Sequence, residues 1–174
     1  MGIERSSRTF SRTQMTRIAR ELLGASTLCA ISTVSAPGRP HVNTAYFAWD
    51  AGLRLVWLSD PRARHSRNIR AGKAVAIVVY DSSQTWGGPD RGIQLFGTAG
   101  MASGAAAQEA ERVYARRFAG FSPGEFADYR PYVFRPRRIK LFDERALGAG
   151  IFVSAKVGAD GKLAWERTEV YHAA

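Results

Sequence analysis

The sequence predicts a mainly β domain of the α+β class, in which six or more antiparallel strands form a barrel flanked by helices. Strand-like segments follow one another through short turns, and only three segments have helical character. A parallel α/β sheet would instead alternate strand and helix along the whole chain. The 174 residues, of which 45% are hydrophobic, suit one compact domain with a core. No repeat, linker or low-complexity segment divides the chain, so we expect a single domain over residues 1–174.

The first part of the chain is predicted to form a helix, a β-hairpin and a third strand. Apolar residues recur at helical spacing before Gly24, which predicts an amphipathic helix that ends there. Two segments rich in β-forming residues flank the turn sequence Ala36-Pro37-Gly38-Arg39, which predicts the hairpin. The expected elements are a helix over 13–23, paired strands over 26–35 and 41–49, and a strand over 53–59.

The rest of the chain is predicted to form two further helices and several strands. A proline near its start and Gly72 at its end predict a short helix over 61–71. The segment 81–90 is rich in glycine and polar residues, which predicts a loop. An alanine-rich stretch predicts a second long helix, because alanine has the strongest helix propensity. The other expected elements are strands over 75–80, 92–99, 132–143 and 150–157, a helix over 104–118, and a hairpin around 158–161.

Composition and charge limit the classes of function. The formal net charge of +10 raises the question of an anionic partner, since clustered basic residues attract phosphates. The arginines are spread over four segments without one basic stripe, so we expect no nucleic-acid partner. No run approaches the ~18 apolar residues of a membrane span, and the start of the chain lacks a secretory leader. We therefore expect a soluble cytoplasmic protein, with Cys29 as a buried structural thiol.

The segment with the clearest chemical character runs from the end of the third strand into the short helix. It places Ser59 close to several arginines and a histidine, in the sequence Ser59-Asp60-Pro61-Arg62-Ala63-Arg64-His65. Arginine offers a planar donor fork, a helix N-terminus offers N–H groups and serine offers a hydroxyl, and this combination suits a phosphate. The spacing of these residues, taken alone, is also consistent with a basic helix that is only exposed to solvent. The histidines are too scattered to predict a metal site, and no residue pattern indicates a catalytic group.

In its order and spacing the chain resembles the pyridoxamine 5′-phosphate oxidase-like split barrels. The resemblance covers about residues 13–142 and depends on several segments together. They are the hairpin over 39–47, the runs 59–69 and 92–99, and the closing strand over 132–143. The resemblance implies a six-stranded antiparallel split β-barrel over about 13–145, with a C-terminal extension over 146–174. It also implies that FMN is the cofactor.

The resemblance implies a phosphate clamp at the strand-to-helix segment. Ser59, Arg64 and His65 would hold the flavin phosphate, and Asn68 would support them from the next turn. His65 departs from the family pattern, in which a lysine often stands beside the arginine. A histidine donates one hydrogen bond when neutral and two when protonated. Flavin affinity would then weaken as the pH rises through the pKa of this histidine, unless His65 is only a surface residue.

Other residues are implied around the flavin ring. Asn43 and Thr44 would face its polar pyrimidine edge, and Gln94 would either reach that edge or only fill the barrel. Trp57 is a candidate for contact with the ring, but its alternation with apolar neighbours also suits the core. Trp86 lies in the glycine-rich loop and is the candidate for lining a substrate pocket.

The protein is expected to be a homodimer with flavin at the subunit interface. A barrel of this size is filled by side chains, so the flavin ring must lie in a groove outside it. Residues 41–58 contain more apolar side chains than one barrel face can bury, and a two-fold interface would cover the surplus.

The implied function is an FMN-dependent oxidoreductase that acts on an unidentified small molecule by hydride transfer at the flavin. The alternatives are an F420-dependent reductase or a haem protein on the same fold, and a non-catalytic flavin-binding sensor or storage module. Pyridoxamine phosphate oxidase activity itself is not expected, because the C-terminal segment lacks a clear Arg-and-Trp ending for the substrate phosphate. Trp165 and Arg167 keep that activity open.

Overall fold

The computed structural model describes residues 2–122 and 126–172. The helices are α1 (Arg12–Gly24), α2 (Arg64–Ala71), α3 (Gly104–Arg117) and α4 (Glu144–Leu147). The strands are β1 (Gly2–Ser6), β2 (Leu28–Val34), β3 (Pro40–Tyr46), β4 (Ala48–Trp49), β5 (Leu55–Ser59), β6 (Ala74–Tyr80), β7 (Arg91–Met101), β8 (Arg130–Asp143), β9 (Ile151–Val157) and β10 (Leu163–His172). The mainly antiparallel β class with a few helices is confirmed.

The residues divide into two compact units, and β6, β7 and β8 contribute to both. The first unit comprises Met1–Ser26, Val78–Leu95 and Arg137–Ala174. The second comprises Thr27–Ile77 and Phe96–Pro136. In the described part of the chain, no helix is long and apolar enough to cross a membrane.

In the first unit the strand order is β1-β10-β9-β8-β7-β6. β1 pairs antiparallel with β10, β10 with β9, and β9 with β8. Helix α1 begins with a capping box between Ser11 and Gln14 and buries an apolar stripe that includes Met15 and Leu22. The C-terminal extension predicted over 146–174 supplies β9 and β10 of this sheet.

In the second unit β2 and β3 form the predicted hairpin, with register from Leu28↔Tyr46 to Val34↔Pro40. β5 pairs antiparallel with both β4 and β8. Helix α2 packs on β2 and β3, and α3 packs on β4 and β5. A Cβ on Gly97 would lie 2.1 Å from the carbonyl oxygen of Arg135, so glycine is required where β7 meets the β8 backbone.

Two expected strands and one helix have different bounds in the structure. The strand predicted over 41–49 is divided into β3 and β4 on either side of Phe47. The strand predicted from 53 begins only at Leu55, because Leu53 has a positive φ of 62° in a turn closed by Asp50. The helix predicted from 61 begins at Arg64, since the residues before it turn around the Asp60 carboxylate. The structure also adds β1 and α4, which the sequence patterns did not predict.

Candidate functional site

Helix α2 has an unusually polar buried face. His65, Ser66 and Asn68 are buried together with Ile69, and the arginines of the helix lie at the surface. Buried polar side chains need hydrogen-bond partners, because an unpaired group loses its bonds to water without replacement. The position of the candidate phosphate site therefore depends on what these side chains contact in the second unit.

Ser59 and His65 form a hydrogen-bonded pair where β5 ends and α2 begins. The Ser59 Oγ lies 2.8 Å from His65 Nε2, and the Ser66 hydroxyl donates to Ser59 Oγ at 3.4 Å. Burial lowers the pKa of His65 below its ordinary value of 6.5, and the nearby His41 lowers this pKa further. Burial therefore favours the neutral imidazole of His65.

Asn68 is used to anchor the helix. Its Nδ2 donates to Thr33 Oγ1 on β2 at 3.0 Å, and Thr33 is itself buried. The Thr33 hydroxyl donates in turn to the His41 carbonyl on β3 at 3.5 Å. Asn68 thus holds α2 on the β2–β3 hairpin, and its predicted support of the phosphate clamp stays a prediction.

Arg64 is the first residue of α2 and is exposed. The residue before it, Ala63, makes no side-chain cap, so the first N–H groups of the helix have no side-chain acceptor. Among the described residues, none forms an ion pair or hydrogen bond with the Arg64 guanidinium. The neighbouring Arg62 differs, because it pairs with Asp60 at 3.0 Å. Arg64 and the start of α2 are the groups open to an anion at this corner.

Asn43 and Thr44 do not present their side chains to the same place. Successive strand residues point to opposite faces, and on β3 Asn43 is half-buried whereas Thr44 is exposed. The two side chains therefore cannot reach one ring edge from the same face of β3, and the contact of these residues with the flavin stays a prediction. Asn43 Nδ2 donates to the Thr44 carbonyl at 3.3 Å, while Asn43 Oδ1 is buried without a donor among the described residues.

Trp57 belongs to the core, so its assignment as a cofactor contact is corrected. The side chain is fully buried and its ring stacks on Tyr132, with centroids 5.7 Å apart. Gln94 lies half-buried on β7 in the first unit. Trp86 lies in the loop 81–90 of that unit and is 99% exposed. The proposed roles of Gln94 and Trp86 stay predictions.

Arg117 holds the end of α3 against the segment that follows β3. Its guanidinium donates to the Phe47 carbonyl at 2.8 Å and covers the rings of Phe47 and Trp49. The ring face of Trp49 is therefore covered by the Arg117 guanidinium. Cys29 nearby is buried, as predicted, and burial raises the pKa of its thiol to about 12.

Sequence reasoning missed three residues of the α2 contact network, namely Thr33, His41 and Ser66. The alternation of β2 contains one usable signal, because Thr33 shares the buried face of that strand with Cys29 and Ile31. An inward-facing threonine needs a partner, and the partner is Asn68.

The C-terminal residues that could have held a substrate phosphate are engaged with other side chains. Arg167 Nε donates to Glu169 Oε1 at 2.9 Å, and Trp165 Nε1 donates to Thr168 Oγ1 at 3.1 Å. Within residues 2–122 and 126–172, no group of three or more His, Cys, Asp or Glu side chains is placed to hold a metal ion.

Several solved structures have a fold similar to that of this chain. A pyridoxamine 5′-phosphate oxidase-related, FMN binding protein from Nostoc punctiforme is 14% identical at a TM-score of 0.60, over 89% of this chain and 93% of that chain. A haem-binding protein from Mycobacterium smegmatis is 17% identical at a TM-score of 0.65, over 88% of this chain. This chain spans only 61% of the length of that protein. An F420 reductase is 25% identical at a TM-score of 0.51, over 69% of this chain and 94% of that chain.

The family comparison agrees with the resemblance drawn from the sequence segments. No curated protein sequence matches the chain. The profile of the family described as pyridoxamine 5′-phosphate oxidase matches residues 15–143, which is well over half of the 174 residues. This span includes α2, the β2–β3 hairpin and the whole candidate phosphate corner. The chain therefore belongs to the pyridoxamine 5′-phosphate oxidase family.

Proposed function

We propose that the protein is an FMN-dependent oxidoreductase that acts on a small molecule by hydride transfer at the flavin. The observation that supports this most is the start of α2, where Arg64 and uncapped N–H groups lie beside the buried Ser59–His65 pair. An anion-binding corner of this kind suits the phosphate of a flavin nucleotide. The family and the FMN-binding relative support the same cofactor.

The residues present fit FMN at two points. The phosphate would accept hydrogen bonds from the Arg64 guanidinium and from the first turn of α2, which has no capping side chain. The buried Oδ1 of Asn43 lacks a donor in the described chain, and the imide N–H of a flavin ring is a donor of the kind it needs. When bound, the flavin supplies the hydride chemistry, and the protein supplies position and electrostatics.

A second copy of the chain is proposed to complete the site. The outward face of the β2–β3 hairpin is apolar and exposed, with Val42 at 62% and Tyr46 at 58% exposure. Leu28 and Val34 lie on the same face, because the register pairs Leu28 with Tyr46 and Val34 with Pro40. Several exposed apolar side chains on one strand face are typical of an interface. A homodimer would cover this face of the hairpin and place the flavin at the subunit interface.

The deazaflavin F420 is the second candidate cofactor, because an F420 reductase is among the similar structures. It shares a tricyclic ring and a phosphate group with FMN, so the same corner would hold either molecule. Direct titration of the cofactor-free protein with FMN and with F420 distinguishes an FMN-dependent enzyme from an F420-dependent one.

The absorption spectrum of the purified protein, followed by anaerobic titration with NADH, NADPH and candidate substrates, tests the proposed function. We expect the bands of oxidised FMN and their loss when an electron donor is added. A Soret band in place of flavin bands would contradict the cofactor assignment and indicate haem. Flavin that no donor reduces would contradict the enzyme assignment and favour a sensor or storage module.

Replacing Arg64 with alanine is expected to weaken FMN binding by about ten- to a hundredfold, because charge-assisted bonds to phosphate contribute about 1.5–3 kcal/mol. Fluorescence titration of the cofactor-free protein measures the effect. Arg116→Ala removes the same charge from an exposed position on α3 and should bind FMN normally. Riboflavin, which lacks the phosphate, should bind Arg64→Ala as well as it binds the parent. Equal FMN affinity in Arg64→Ala and the parent would show that the clamp is elsewhere.

FMN affinity is expected to rise as the pH falls through the range in which His65 takes up a proton. The free chain holds the pKa of His65 low, and a bound phosphate anion raises it, so proton uptake accompanies binding. Above both pKa values the histidine is neutral in either state and makes no pH-dependent contribution. Isothermal titration of the parent and of His65→Gln between pH 5.5 and pH 8 isolates this residue from the phosphate's own titration. Parallel pH profiles for the two proteins would contradict the prediction.

The protein is expected to sediment as a dimer at micromolar concentration, and Val42→Asp should dissociate it, because a charge would be buried in the proposed interface. FMN should be lost together with the dimer. Ala159→Asp, in the exposed turn before β10, introduces the same charge elsewhere and should leave both properties unchanged. A flavin-loaded species of one 19.1 kDa chain would overturn both the dimer and the shared site.

A further inference from the structure

We propose that the first unit contains a second binding site, which takes a small organic anion in a cavity beneath the loop 81–90. The cavity has a volume of about 400 Å³, within the range of small-molecule sites. None of its lining residues belongs to the phosphate corner, so the proposal does not depend on the proposed function. The cavity is lined by Leu22, Ala25, Tyr80, Asp81, Ser83, Gln84, Thr85, Gly88, Pro89, Arg91, Gly92 and Arg145.

The loop above this cavity has no regular secondary structure, yet it is held firmly. The Gln84 side chain donates to the carbonyls of Asp81 at 2.9 Å and Arg91 at 3.0 Å, and it accepts from the Arg91 N–H at 2.7 Å. The Gly88 N–H donates to the Thr85 carbonyl at 2.9 Å and closes a turn. Side-chain bonds to the backbone at both ends of a loop fix its shape before any ligand arrives.

The residues at the start of α4 are fixed to the same loop. The buried carboxylate of Asp143 accepts two bonds from the Arg91 guanidinium, at 3.1 and 3.0 Å, and also accepts the N–H groups that begin α4. Glu144 and Asp90 exchange two further bonds, from Glu144 N to the Asp90 carbonyl and from Asp90 N to Glu144 Oε2. The two sides of the cavity are therefore joined by charge-assisted bonds.

The cavity presents cationic donors to a ligand. The Arg145 side chain is exposed, and no described residue accepts a hydrogen bond from it. Arg91 uses Nε and Nη2 for Asp143, which leaves its Nη1 for another acceptor. Among the described residues that line the cavity, the one carboxylate belongs to Asp81, and it already accepts the N–H and hydroxyl of Ser83 at 2.9 and 2.7 Å. A guanidinium with open donors selects a carboxylate or phosphate group.

Several other residues of the lining are apolar, so they suit a ligand whose remaining part is apolar. Leu22 and Ala25 come from the end of α1, Pro89 comes from the loop, and Tyr80 presents a half-exposed ring. Sites for small molecules typically combine such apolar surface with a few polar groups that orient the ligand. The chemical class is thus a small molecule with one anionic group and an aromatic or aliphatic body.

Amide NMR of the full chain tests this site, with sodium benzoate as the probe. We expect benzoate to shift the amide signals of Ser83, Thr85 and Gly88, and Arg145→Gln to weaken its binding about tenfold through loss of a charge-assisted bond. Arg116→Gln, at an exposed arginine of α3 in the second unit, should bind benzoate like the parent. Benzylammonium has a similar body with the opposite charge and should not bind.

Three results would overturn the proposal. Benzoate shifts that are absent from the loop, or unchanged in Arg145→Gln, would mean that the cavity does not bind anions. Tighter binding of benzylammonium than of benzoate would assign the cavity to cations through Asp81. Inorganic phosphate that binds as tightly as benzoate would show that the apolar lining contributes nothing, and would remove the assignment to an organic anion. The comparison of probes on the parent protein is decisive even without the variants.

Discussion

The candidate flavin site depends on the need of α2 to satisfy its buried polar face. A buried polar group without a partner costs about 1–3 kcal/mol, so His65 and Asn68 must find hydrogen bonds when the helix packs. They find them at Ser59 on β5 and at Thr33 on β2. These two contacts determine how the helix is rotated about its axis, and they leave Arg64 outside at the first position.

The structure divides the predicted phosphate clamp into exposed groups that can meet an anion and buried groups that contact one another. Arg64 and the uncapped start of α2 face solvent, where a phosphate could approach them. Ser59, Ser66 and His65 lie beneath and mainly contact one another. A histidine at this place also differs physically from the lysine that is common in the family, because burial lowers its pKa and favours the neutral form. His65 therefore becomes positively charged only when the pH falls or when a nearby anion raises its pKa.

The β2–β3 hairpin serves the site through both of its faces. Strand alternation directs Cys29, Ile31 and Thr33 inward, where they pack or bind α2. The same alternation leaves Val42 and Tyr46 outside, at an exposure that a folded monomer rarely gives to apolar side chains arranged on one face. One strand pair thereby links the orientation of α2 to the surface on which a second copy is proposed.

By itself the sequence determined the order and type of most elements and the segment that contains the candidate site. The helices expected over 13–23 and 104–118 match α1 and α3 to within a residue at each end, because periodicity and turn chemistry are local properties. Ser59 and His65 could be selected together because six positions separate them. Only the tertiary structure decided that Asn68 binds Thr33, that Asn43 and Thr44 face apart, and that Trp57 is covered by Tyr132. Those outcomes depend on strand register and on packing between distant segments, which local patterns do not encode.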